Sequence, residues 1–554
     1  MSVKGAKVLS RCTNAGAVIQ TRSPFDVEFW AANLAEHPDQ EFVSRILTCI
    51  NEGVPIGYDG PRVKRVCKNW PSVQQFYPAV LASIQKDLSK GRKAGPFSAP
   101  PFDTFVGSPM GAFEKRSSPG KYRVIHDLSW PPGQSVNEGI SQAECTVQYI
   151  SVDDAVRRVK KYGPGTLMAK LDLEDAFKHI VVRPQDWDLL GSTFEVADPT
   201  GRKTLQYFVD VVLPFGMRSS PKKFCEFADA LRYMMEINGV SDVDNYVDDF
   251  FTCGAPGTNQ CEDNLNNMLD TCSGAKFAVG PSKVVRPTPV LEFLGIVIDS
   301  INMILCISEP RLQDVLSQLK AWSCRKTCTK RQLLSIIGKL TFVSKVVRSG
   351  RTFVRRMIEL SKKASALHYK IKLNVEFQKD VQWWLQYLPT WNGVSVFYDE
   401  DWTTSADMCL YTDASGIGYG CYFVGHWFCE QFDDVKKARD ILWKELYALL
   451  KAAATWGKYW ASKRILFYCD NQAVVSILRS GTSKRPDIMC LVRALFFVAA
   501  ENNFECSATY ISTHDNGVAD ALSRFQSNRF RELAPAADVF MTIPGMVYCE
   551  GIDL

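Results

Sequence analysis

NYVDDFF, residues 245–251, sets two aspartates, Asp248 and Asp249, inside a run of aromatic and β-branched residues. Its neighbours favour a strand, whereas strands are depleted in Asp and adjacent carboxylates repel. Two readings resolve the conflict. A tight hairpin tip accommodates the acids because Asp tolerates turn geometry. A divalent cation also does so, by turning repulsion into ligation by hard oxygens. Upstream, TLMAKLDLEDAF (166–177) reads as a strand with Met168, Lys170 and Asp172 on one face, turning at Glu174 and Asp175 into Ala176 and Phe177. A strand that ends in acids can be a solvated turn. It also offers a carboxylate from a separate segment, which a two-metal site needs because successive strand residues point to opposite faces. Two cations ~3.5–4 Å apart clamp the attacking and leaving oxygens of an in-line phosphoryl transfer.

A second set of acids follows the same design. MCLYTDASGIGYGCYF (408–423) alternates as a strand, carries Asp413 near its end and turns through a Gly-rich hairpin. ILWKELYALLKAAATW (441–456) is helical, with Glu445 on the side of Leu442, Leu446 and Leu449. A carboxylate there is costly unless paired or metal-bound. ILFYCDNQAVV (465–475) again ends a strand in Asp470, and ISTHDNGVADALSR (511–524) supplies His514 and Asp520, the latter in the first turn of a helix. Singly, each acid is also explained as a turn, an exposed helix face or N-terminal helix charge.

The rest of the chain bounds what these acids can serve. Its 554 residues correspond to roughly three to five domains of about 100–200 residues. At 46% hydrophobic and 23% charged, the composition is that of ordinary folded protein. No apolar run approaches the ~20 residues that cross a bilayer; Leu491 to Ala500 still contains Arg493. The first twenty residues lack the apolar core of a secretory signal. The 18 cysteines are scattered without a CxxC pair, and Cys324 and Cys328 have no ligand cluster nearby, so reduced thiols in an intracellular protein are expected rather than zinc. The net charge of +5 conceals a local imbalance. Residues 311–370 hold 15 Lys+Arg against 2 Asp+Glu, a balance of +13 that leaves −8 elsewhere. A helical stretch this basic expects an anionic partner, contacted mainly through phosphates.

LDLEDAF, then LPFGMRSSPKKF (213–224), then YVDD, then FLGIVID (293–299) resemble, in order, the motifs of reverse transcriptases, and KRSSPGKYRVIHDLS (115–129) resembles the fingers strands of that family. The resemblance implies that Asp172 and Asp248 are the main metal ligands, with Asp249 assisting. Lys115 or Arg116, and Arg123, would contact the incoming triphosphate. Phe177 would be the steric gate against a 2′-hydroxyl, its alternative being a plain core Phe. Gly216 would allow close backbone approach or simply make a turn. Phe215 stands where retroviral enzymes have Gln, which removes a side-chain hydrogen bond there. Lys283 matches the lysine near the pyrophosphate, or is a solvated loop lysine. The Asp-Glu-Asp-Asp order on strand, helix, strand and helix resembles ribonuclease H, implying that Asp413, Glu445, Asp470 and Asp520 hold two Mg²⁺ ions. His514 would sit near the leaving group or be a loop histidine, since it precedes Asp520 by fewer residues than in retroviral enzymes.

The resemblance implies an α+β right-hand polymerase followed by an α/β ribonuclease H-like domain. An N-terminal helical lead-in (1–95) would precede fingers and palm (96–305), helical thumb (306–370), connection (371–406), ribonuclease H (407–525) and C-terminal tail (526–554). Expected cofactors are Mg²⁺, two per site, or Mn²⁺. Expected partners are RNA template, DNA primer, RNA–DNA hybrid and deoxynucleoside triphosphates, with no membrane. Residues 25–61 and 127–140 look like DIRS-type, tyrosine-recombinase retrotransposons, while VADALSR (518–524) is shared with Gypsy-type elements. A domesticated protein that binds nucleic acid without catalysis and a cellular DNA polymerase with a proofreading nuclease are the competing readings. Cleavage of hybrid rather than mismatched DNA ends separates off the latter.

Overall fold

The computed structural model describes residues 6–114, 120–197, 202–391, 395–397 and 401–546. The chain divides into two compact units, Met1–Leu291 and Glu292–Leu554.

The first unit opens with a β-hairpin, β1 (Val8–Cys12) and β2 (Val18–Arg22), where a mostly helical lead-in is expected. The period there is two rather than 3.6: Leu9 and Ile19 point inward while Val8 and Val18 face solvent. This segment shares its core with the residues that follow. Phe25 and Trp30 pack on Phe227 and Phe277, and the Trp30 indole donates to the Ala275 carbonyl.

One sheet of this unit is built on Gly191–Ala197, flanked by Lys203–Asp210 and Val106–Gly107. The other carries the acids. Helix α1 (Val152–Tyr162), started by a capping box between Ser151 and Asp154, leads into β3 (Leu167–Leu173). Helix α2 (Ser220–Ile237) buries Phe224, Phe227, Ala228 and Leu231 on one stripe. It precedes the hairpin of β4 (Val243–Tyr246) and β5 (Asp249–Gly254). After α3 (Gln260–Gly274) comes β6 (Val279–Thr288), and the sheet runs β4-β5-β3-β6, antiparallel throughout.

The second unit begins with short antiparallel strands, Ile296–Asp299 and Ile304–Cys306, followed by helices α4 (Glu309–Ser323), α5 (Lys330–Val343), α6 (Thr352–Ser361) and α7 (Val375–Trp391). They turn apolar residues such as Leu333, Ile336 and Leu340 inward and leave Arg331, Arg351, Arg355, Lys362 and Lys363 exposed. An antiparallel meander follows, β7 (Leu410–Ala414), β8 (Gly418–Phe423) and β9 (His426–Gln431). Helix α8 (Ile441–Trp456) leads to β10 (Arg464–Cys469), helices α9 (Gln472–Ser480) and α10 (Pro486–Glu501), and β11 (Glu505–Tyr510), which lies parallel to β10. Helix α11 (Gly517–Ser523) closes the meander.

The helical layer is tied to helix α10 through buried and part-buried charge. Arg493 of α10 donates to Asp380 at 2.8 Å and Glu376 at 2.9 Å on α7, and Arg356 of α6 reaches Glu376 at 2.7 Å. Residues beyond 525 pack on the meander as well, with Phe530 buried against Tyr422 and Trp427. All cysteines among the described residues are free. Among those residues no helix is long and apolar enough to cross a membrane.

Candidate active sites

Pairing of β3 with β5 sets Asp172 directly opposite Asp249, and the Leu173 amide donates to the Asp248 carbonyl at 3.1 Å. Asp248 itself sits in the β4–β5 turn. The turn exists, but its left-handed residue is Val247 at φ 58, not an Asp. A β-branched residue there costs about 1–3 kcal/mol, held by the sheet on either side. Burial pushes the Asp248 carboxyl up to about 6, with the charges of Asp172 and Asp249 adding; Asp249 is raised by burial too. Three carboxylates whose mutual repulsion is met only in part, by Lys170 beside Asp249 and by a lysine at Asp172, suit a divalent cation. That lysine is Lys283 on β6, whose Nζ lies 2.5 Å from Asp172 Oδ2.

Phe177 and Phe215 meet with ring centroids 5.1 Å apart. Phe177 is half-buried, backed by Phe224, while Phe215 is 49% exposed. Gly216 takes φ 103, and a Cβ there would lie 2.5 Å from the His126 carbonyl oxygen. Arg123 is exposed on the hairpin of Met110–Glu114 and Tyr122–His126, opposite Phe113. Lys115 and Arg116 lie outside the described residues.

One residue of this region is missed by motif reading. The buried Asn137 side chain donates to Ser129 Oγ and the Gly216 carbonyl and accepts from the Arg218 amide, so it holds the Phe215–Gly216 turn. A lone Asn in the Gly/Pro-rich stretch 131–139 gives no periodic signal of such a role.

In the second unit, Asp413 on β7, Glu445 on α8, Asp470 after β10 and Asp520 on α11 line one cavity of about 480 Å³. Asp440 starts α8 by accepting from the Trp443 amide, which places Glu445 in the second turn, 5% exposed. Helix α11 reaches the site because β8 has glycine at its crossing. A Cβ on Gly420 would lie 2.3 Å from Leu522 Cβ and 2.8 Å from the Ser523 amide nitrogen. Ser523 Oγ then donates to Asp413 at 2.5 Å, and Thr513 Oγ1 to Asp470 at 2.8 Å. Neither hydroxyl is flagged by spacing alone.

Burial raises Asp413 to about 7, aided by the charges of Asp470 and Asp520, and raises Glu445 well above the usual range, aided by Asp413 and Asp470. Asp520 goes the other way. Burial opposes its charge, but Arg524 and Arg529 hold it below the usual carboxylate range. Glu445, Cys469 and Asp470 offer ligand atoms within 4.8 Å of one another. Burial, with Glu445 adding, keeps the Cys469 thiol protonated, so the hard oxygens are the fitting donors for Mg²⁺ or Mn²⁺. His514 stands on the exposed turn Thr513–Asn516 with its side chain 98% exposed, beside the cavity but not among its lining residues.

No family model matches the chain. Over 227 residues, 41% of its length, it is 25% identical to the Gag-Pro-Pol polyprotein of mouse mammary tumor virus (strain BR6), and the match spans 12% of that polyprotein. Among solved structures, the foamy viral protease-reverse transcriptase in complex with dsDNA aligns over 88% of this chain and 97% of that one, at 14% identity and TM-score 0.48. The same protein in complex with RNA/DNA hybrid aligns over 91% and 69%, at 14% identity and TM-score 0.46.

Proposed function

We propose that the chain is an RNA-directed DNA polymerase with ribonuclease H activity, from a retrotransposon. The observation that carries this reading is the pair of carboxylate sets, one in each unit, each gathered from non-adjacent segments. The polyprotein likeness supports it over 41% of the chain.

In this reading Asp172, Asp248 and Asp249 would hold two Mg²⁺ ions, and Lys115 or Arg116, Arg123 and Lys283 would meet the triphosphate. The ions supply Lewis acidity and a template for in-line displacement. Lys283, paired with Asp172 in the free protein, would supply its positive charge to the leaving pyrophosphate. Phe177, held by Phe224, presents a flat face against the sugar and favours deoxynucleotides. Phe215 offers the nucleotide an apolar surface in place of an amide. The basic stretch 311–370, with helices α4–α6, acts as the thumb and tracks the duplex backbone.

Copying RNA leaves a hybrid, which the second site disposes of. Asp413, Glu445, Asp470 and Asp520 orient water against an RNA phosphodiester beside its 2′-hydroxyl. His514, exposed on its turn beside Asp515, would attend the leaving group. The DIRS type is the branch we favour, on residues 25–61 and 127–140, and a tyrosine recombinase in the flanking reading frame would support it.

The test is primer extension on an RNA template and cleavage of a labelled hybrid, both with Mg²⁺. Wild type should do both. Losing several kcal/mol of charge stabilisation, Asp248→Asn should extend about 10²–10³-fold more slowly yet still cut. Asp470→Asn should do the reverse. Binding of hybrid without either reaction would favour the domesticated, non-catalytic protein.

A further inference from the structure

Asp520 is the one acid of the second site whose two oxygens are both taken. Arg524, one helical turn on, donates from Nε to Oδ1 at 2.6 Å, and Arg529 donates from Nη1 to Oδ2 at 2.6 Å. The carboxylate side chain is 10% exposed, the two arginines 53% and 47%. The arginines are not equivalent. Arg524 lines the cavity with Asp413, Glu445 and Asp470. Arg529 is tied in addition to Gln526 Oε1 at 3.0 Å and is not among the lining residues.

We propose that Arg524 is the ligand of the substrate's scissile phosphate, held in reserve on Asp520 until substrate arrives. This inference rests on the nuclease reading of the cavity. A carboxylate with a guanidinium on each oxygen is neutralised twice over and is a poor ligand for a divalent cation, which would also be repelled by both arginines. A phosphodiester shares one negative charge over two non-bridging oxygens, as a carboxylate does, so it can replace Asp520 on Arg524 with the guanidinium still facing one anion. The exchange frees Asp520 Oδ1 toward the cavity while Arg529 keeps the carboxylate in place. Substrate binding and uptake of a cation at Asp520 are thereby coupled, and the coupling is reciprocal.

The arrangement separates Arg524 from a merely structural arginine in a measurable way. Removing a structural partner of Asp520 would loosen α11, and either arginine would then serve equally. Removing Arg524 as proposed should free Asp520 for a cation before any substrate is present, and at the same time cost the phosphate contact.

The full chain is titrated with MgCl₂ by calorimetry in the absence of nucleic acid, for wild type, Arg524→Gln, Arg524→Lys and Arg529→Gln. The first unit contributes alike to all four, so differences report the cavity. Arg524→Gln should take up Mg²⁺ more tightly or in greater number than wild type, and by clearly more than Arg529→Gln, because the oxygen that Arg529 leaves is not held by a cavity-lining residue. In hybrid cleavage, Arg524→Gln should lose about 10²-fold in kcat/KM and Arg524→Lys should recover part of it, while Arg529→Gln, which positions Asp520 without meeting the phosphate, should lose less than Arg524→Gln. Equal behaviour of the two glutamine variants in both measurements would overturn the proposal, as would wild-type cleavage by Arg524→Gln. Should Arg524→Gln fail to fold, Arg524→Lys decides by itself: cleavage at the wild-type rate would overturn the forked phosphate contact. A wild type that cuts no hybrid defeats the nuclease reading instead.

Discussion

Asn137 donates from its side-chain amide to the main-chain carbonyl of Gly216 at 2.9 Å, across 79 residues of sequence. The same nitrogen reaches Ser129 Oγ at 2.8 Å, and Oδ1 accepts from the Arg218 amide at 2.8 Å. Gly216 cannot drift toward the sheet, because His126 already occupies that side. The turn carrying Phe215 is therefore set by one buried amide. Asn137→Ala removes the partner of the part-buried Gly216 carbonyl and Arg218 amide, at about 0.5–1.5 kcal/mol each. The expected result is a raised KM for deoxynucleotides in primer extension, with hybrid cleavage unchanged. Asn137→Asp, which keeps the acceptor for Arg218 and loses the donors, should fall between. A KM equal to wild type in Asn137→Ala would remove the positioning role.

Gly420 is where α11 touches the meander. A methyl group there meets the Leu522 side chain and the Ser523 backbone well inside contact distance, so the helix itself must move. Overpacking of this kind costs about 1–3 kcal/mol. Displacing α11 also carries Ser523 away from Asp413 and Asp520 away from the cavity. Gly420→Ala should lose hybrid cleavage while primer extension persists. Retained cleavage would show that α11 can shift without disturbing the acids.

The acids were legible because each violates a local rule: adjacent Asp residues in a strand, a Glu on an apolar helix face, strands that end in Asp. Such violations need a compensating purpose, and the second unit does bring Asp413, Glu445, Asp470 and Asp520 to one cavity. Their partners were less visible. Arg524 lies four residues after Asp520, a spacing that marks an ion pair on any helix and singles out no site. Arg529, Thr513 and Asn137 act across loops, where no periodicity reports contact. The hairpin at 8–22 was lost to the helical pattern that follows it, since five-residue strands carry little signal.

The basic layer of the second unit exposes Arg331, Arg355 and Lys362, and its charge is diluted in the chain total. Contacts from such residues go to phosphates and release counterions. Duplex affinity should therefore fall steeply with salt and change little with sequence. In Arg331→Gln/Arg355→Gln/Lys362→Gln the logarithmic salt slope should flatten by about 0.9 for each residue that met a phosphate. Fluorescence anisotropy with a duplex at several salt concentrations measures it. An unchanged slope would place the duplex elsewhere.

His179 gives the first unit a pH dependence whose sign follows from its surroundings. It is buried, its Nε2 accepts from the Ala278 amide at 3.4 Å, and its Nδ1 has no hydrogen-bond partner among the described residues. Burial, and then the charge of Arg92, hold its pKa below the ordinary value of 6.5. The unfolded chain then binds the proton more readily than the folded one. Stability is therefore full above about pH 6.5 and is lost as pH falls through that value, until the folded form also protonates. His179→Gln keeps an acceptor for Ala278 and removes the titration. Melting curves of the full chain at pH 7.5 and 5.5 should show wild type losing more stability on acidification than the variant. An equal loss in both would assign the pH dependence to other groups.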